Sequence, residues 1–148
     1  MTPGRVSLKV VEDRLRIVAD CVAGLRSLPA GTLEAFRSDP RNPATAESLL
    51  RRAIEALFDT ARHVLSKAFG LGALEYREVA LQSAARGLLA SAETAGRFRE
   101  MAGYRNRLVH HYEAVTVQEL HRILHERLGD LEAVAAALQT AAASLAKP

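Results

Sequence analysis

Between Arg97 and Tyr112 the chain places four arginines and two adjacent histidines against a single acid, Glu100. An arginine fork matches phosphate oxygens, and an imidazole exchanges protons near neutrality, so this stretch is suited to phosphodiester chemistry. An RNA strand carries its own nucleophile, the 2′-hydroxyl. A base to take its proton, a cation to stabilise the crowded phosphorus and an acid for the leaving 5′-oxygen would suffice. Arg105, His110 and Tyr112 form the spacing R-x4-H-x-Y. At about 100° per residue, Arg105 and Tyr112 share a face of a straight helix, while His110 points roughly 140° away from Arg105. One regular helix therefore assembles the trio poorly. The spacing predicts either a helix that ends or deforms near Val109, or a second copy of the chain that brings the groups together.

The other chemistry-bearing residues carry weaker signals. Arg107 and His111 suit a phosphate contact and, equally, a solvated charge and a helix-end contact. Asp59 and His63 are one helical turn apart, an arrangement that supports an ion pair on a helix surface or the wall of a cleft. His121 and His125 have the i, i+4 spacing of a metal pair, but no third ligand is evident and the run HRILHE lacks the glutamate of a metalloprotease motif. They read as a solvated or packed pair. Cys21 flanks an apolar stripe and behaves as a small buried side chain.

These residues need helices to position them. Leu8, Val11, Leu15, Val18, Val22 and Leu25 step by threes and fours along a first amphipathic helix. Ser27, Pro29 and Gly31 end it, and Thr32 supports only a short turn. A second, long and central helix starts near Ala44 or Thr45 and runs to about Ala68, where Gly70 and Gly72 stop it. Glu75 to Leu89 reads as a third helix and Ala92 to about His110 as a fourth, with Phe98, Met101, Tyr104 and Leu108 at helical spacing. Thr116 caps a last helix, which Gly129 is expected to kink. The expected fold is all-α, a helical bundle of about five main helices forming one domain over residues 1–148.

Composition agrees. With 49% hydrophobic and 25% charged residues, the chain is far from the low-hydrophobicity, high-charge range of disordered sequences. The formal net charge of +3 fits an anionic partner without demanding one. One cysteine excludes an internal disulfide, no signal peptide or membrane span is expected, and a reducing cytoplasm is the expected location.

The string M-A-G-Y-R-N-R-L-V-H-H-Y at 101–112, set in an all-helical chain of this size, resembles the signature of HEPN-domain ribonucleases, specifically of HepT, the toxin of HepT/MntA toxin–antitoxin modules. The resemblance covers essentially the whole chain and implies a HEPN-like bundle. It implies that Arg105 and His110 are catalytic, and that Tyr112 is where a nucleotidyltransferase attaches AMP. Asn106 matches the polar residue that commonly follows the arginine; Arg107, His111 and Asp59 are supporting or RNA-binding candidates. The resemblance further implies a homodimer with facing motifs, an RNA substrate, an MntA-like nucleotidyltransferase antitoxin as partner, and neither metal nor cofactor. A second reading is a non-catalytic helical module that binds substrate for a nucleotidyltransferase. A third is an interaction protein whose motif serves dimer packing alone.

Overall fold

The structure, a computed structural model, describes residues 5–72, 74–110 and 114–147. Seven helices follow one another: α1 (Leu8–Arg26), α2 (Leu33–Arg37), α3 (Arg41–Phe69), α4 (Tyr76–Ala85), α5 (Ala92–His110), α6 (Val117–Glu126) and α7 (Leu128–Leu145). There is no strand among the described residues.

Helices α1, α2, α5 and α6 begin where a side chain satisfies free amides. Ser7 Oγ accepts from the Val10 N–H, Thr32 Oγ1 from Ala35 and Ser91 Oγ from Thr94. Thr116 and Glu119 form a reciprocal capping box at the start of α6. Two ends rest on glycine in the left-handed region. Gly70, with φ 69°, closes α3, and Gly87, with φ 73°, follows α4. At Gly87 the Leu88 N–H turns back to Ser83 O, so α4 stops at Ala85 rather than running to Leu89. The long helix begins at Arg41, three residues before its expected start, because Pro43 fits a first helical turn.

The expected single last helix is two. The break lies at Arg127, whose φ of −121° leaves the helical region, and not at Gly129. Its guanidinium donates to Glu100 on α5 and, at 2.6 Å, to Asp130 on α7, so cross-helix bonding replaces the lost helical regularity.

The central α3 packs against α1, α4, α5 and α7. Its buried stripe of Leu50, Ile54, Leu57, Phe58, Ala61 and Val64 explains this position. Phe58 and Phe98 are wholly buried and stack with centroids 4.1 Å apart, joining α3 to α5. Burial of each ring is worth about 1.5–3 kcal/mol. The Tyr76 ring at the start of α4 lies 4.9 Å from Phe58, so the same aromatic cluster fixes α4.

A candidate phosphodiester-binding groove

A concavity of about 360 Å³ opens where α3, α4 and α5 meet. Helix α5 contributes Arg105, Asn106 and His110. The second half of α3 contributes Arg62, and the chain entering α4 contributes Leu74, Glu75, Tyr76 and Arg77. Three arginines and a histidine therefore face one carboxylate. Larger hollows of about 700 and 530 Å³ are lined mainly by small apolar side chains. Their basic groups are only Arg26, paired with Glu132, and Arg99.

The groove brings together two members of the motif, Arg105 and His110. Helix α5 is regular through Val109 and ends at His110, so one helix carries both Arg105 and His110. Positions 105, 106 and 110 sweep an arc of roughly 140°, and the approach to α4 wraps the wall around that arc. Arg105 is half-buried, whereas Asn106 and His110 are exposed.

Arg105 is held from two sides. Its Nη2 lies 3.5 Å from Glu55 Oε2 on α3, and its Cζ lies 4.3 Å from the centre of the Tyr76 ring. A ring quadrupole attracts a cation in that position. Arg105 Nε is buried and makes no hydrogen bond among the described residues. Arg62 stacks on the same ring at 4.4 Å, donates from Nε to Leu74 O at 3.1 Å, and donates from Nη1 to Asp59 Oδ1 at 3.3 Å. Asp59 thus stands behind the groove, acting through Arg62.

The remaining candidates lie elsewhere. Arg97, Arg99, Arg105 and Arg107 form one basic run in the sequence, but the helix disperses them, and only Arg105 reaches the groove. Arg97 pairs with Glu100 and Asp130. Arg107 pairs with Glu119 across the link from α5 to α6 and donates to Ala114 O. His63 Nε2 accepts the Ser7 N–H at 2.9 Å, which places it at the cap of α1. Burial, aided by Lys67 and Arg14, holds its pKa below the ordinary histidine value. His121 and His125 both direct Nε2 to Ala30 O, at 2.9 and 2.5 Å, tying the α1–α2 link to α6. Among the described residues no group of three or more His, Cys, Asp or Glu could hold a metal. Cys21 is buried, and burial pushes its thiol pKa up. His111 and Tyr112 lie outside the described residues. No helix among the described residues is long and apolar enough to cross a membrane.

Sequence reasoning missed Arg62, Glu75, Tyr76 and Arg77. The only local hint lay at Asp59 and His63: the groove residue, Arg62, falls between those two positions.

Comparison with known proteins gives a family and a fold. The family model Ribonuclease HepT-like matches residues 18–138. No curated protein matches the chain. Among solved structures, the chain is similar to a tri-AMPylated Shewanella oneidensis HEPN toxin in complex with MNT antitoxin. The TM-score is 0.79 at 18% identity, covering 88% of this chain and 97% of that one. It is also similar to a toxin–antitoxin structure with AMP-PNP, with a TM-score of 0.75 at 17% identity over 87% and 97% of the two chains.

Proposed function

The chain belongs to the HepT-like ribonuclease family, and on that premise we propose that it is the endoribonuclease toxin of a toxin–antitoxin pair, cleaving RNA by 2′-hydroxyl attack. The observation that carries this reading is the shared groove: Arg105 and His110, five residues apart, line one cationic cleft with Arg62 and Arg77.

In the proposed reaction the 2′-oxygen attacks the adjacent phosphorus while an imidazole takes its proton. Arg105, held by Glu55 and Tyr76, stabilises the extra negative charge of the phosphorane. The bond from phosphorus to the 5′-oxygen then breaks, and a second imidazole, already protonated, supplies the proton to that oxygen. One chain offers a single His110, so a homodimer with facing motifs supplies both imidazoles.

The proposed partner is an MNT-type nucleotidyltransferase antitoxin, the kind of protein with which the Shewanella oneidensis toxin is in complex. Transfer of AMP to Tyr112, two residues beyond His110 in the sequence, would add phosphate charge and nucleoside bulk that compete with RNA.

Product termini test the chemistry. Cleavage should leave a 2′,3′-cyclic phosphate and a 5′-hydroxyl, and a strand with 2′-deoxyribose at the cut site should resist. Cleavage of the deoxy-substituted strand at an equal rate would overturn 2′-hydroxyl attack.

A further inference from the structure

The groove has more cationic capacity than the R-x4-H spacing supplies. Arg62 and Arg105 come from different helices yet stack against the one Tyr76 ring, at 4.4 and 4.3 Å from its centre. That shared platform keeps the two cationic centres within about 9 Å of each other, and the ring quadrupole attracts both. Phe58 anchors the platform in the core.

The carboxylates behind the groove orient the forks without cancelling them. Glu55 lies 2.7 Å from Arg51 and 3.5 Å from Arg105, while Asp59 lies 3.3 Å from Arg62 and 4.0 Å from Arg14. Each acid is divided between two arginines, so positive charge remains in excess. Among the described residues, Arg62 Nη2 and Arg105 Nη1 make no hydrogen bond. Among the described residues Arg77, exposed on the same wall, makes no ion pair. Donors of Arg62 and Arg105 oriented by the Tyr76 ring and by Asp59 and Glu55, with Arg77 on the same wall, fit the oxygens of a strand's backbone.

We propose that Arg62 and Arg77 form a second phosphate subsite, gripping the phosphodiester next to the one at Arg105, with Tyr76 as the positioning residue that sets the spacing of the two forks. The proposal rests on the ribonuclease reading only for the identity of the strand, RNA.

The test uses the full-length protein and a labelled, mixed-sequence 2′-O-methyl oligonucleotide, which binds but lacks the free nucleophile. Fluorescence anisotropy is followed across salt concentrations. Arg62→Ala and Arg77→Ala should each weaken binding about tenfold. The double variant Arg62→Ala/Arg77→Ala should also make the slope of log affinity against log salt shallower by ~0.7, the effect of losing one phosphate contact on a single strand. Tyr76→Leu should weaken binding, and Tyr76→Phe should restore it, because the ring and not the hydroxyl holds the guanidiniums. In cleavage assays, kcat/KM for the unmodified oligonucleotide relative to that for a dinucleoside monophosphate should fall about tenfold in Arg62→Ala. Thermal melts verify folding of each variant.

An unchanged salt slope in the double arginine variant overturns the subsite, as does a Tyr76→Phe protein no better than Tyr76→Leu. Were the wild type to cut no RNA, the ribonuclease reading would fail, but the anisotropy slopes would still decide whether the subsite exists.

Discussion

The guanidinium of Arg107 meets the carboxylate of Glu119 fork to fork, with Nη1 2.8 Å from Oε2 and Nη2 2.7 Å from Oε1. Arg107 sits in the last turn of α5 and Glu119 in the first turn of α6, where Glu119 also completes the cap with Thr116. The pair therefore bridges the stretch of chain that carries His111 and Tyr112.

Removing this bridge should weaken the junction of α5 and α6. Arg107→Ala is expected to lower stability by about 1–2 kcal/mol, more than an exposed pair because the contact is bidentate and partly buried. Urea unfolding measures it. The hydrogen bonds from Arg107 are the main cause of a Glu119 pKa below its ordinary 4.5. A depressed carboxyl pKa gives stability that is present above about pH 4.5 and lost as pH falls through the folded value. The wild type should lose this contribution on acidification, and Arg107→Ala should show a flatter acid limb. Parallel acid limbs would mean that the bridge is not the stabilising contact.

His63 should give a separate pH signature. Its neutral Nε2 accepts the Ser7 N–H, and its pKa is lowered from 6.5, first by burial. The folded state thus binds fewer protons than the unfolded chain. Stability from this contact is complete above about pH 6.5 and declines as pH falls below it. Unfolding at pH 7.5 and 5.5 should show a smaller pH effect in His63→Gln than in the wild type; an equal effect would place the pH dependence elsewhere.

Sharing of acid and base roles between subunits can be read from mixed dimers. A heterodimer of wild-type and His110→Ala chains, purified through two different tags, should retain less than about a tenth of wild-type kcat, because one of the two proton-transfer groups is missing. Half of wild-type activity would show that each groove works alone.

Tyr112 is expected to be the acceptor of AMP. After incubation with ATP, magnesium and the neighbouring nucleotidyltransferase, intact mass should rise by one or more AMP units in the wild type and stay constant in Tyr112→Phe. An adduct that persists in Tyr112→Phe would move the site to another residue.

The helices were legible wherever burial is one-sided. The stripes of α1, α3 and α5 alternate with charge at the helical period, and their faces are buried as that period requires. The break at Arg127 was not legible, because the apolar period runs through Leu124, Leu128 and Leu131 without interruption, and one of the partners that Arg127 bonds there, Glu100, lies on another helix. The groove was half legible for a similar reason. Arg105 and His110 are close in sequence and carry a spacing. Arg62 and Tyr76 reach them only after α4 folds back on α3 and α5, driven by Phe58 and Phe98 packing that no short motif encodes. Conversely, the compact basic run at 97–107 looked like one site, and helical geometry spread it around α5.

The central claim is that Arg105 and His110 carry out RNA cleavage, and the initial rate on RNA under single-turnover conditions tests it most directly. Wild type should cut, while Arg105→Ala and His110→Ala, folded by circular dichroism and melting, should be slower by about a hundredfold or more. Equal rates from all three proteins would contradict the account.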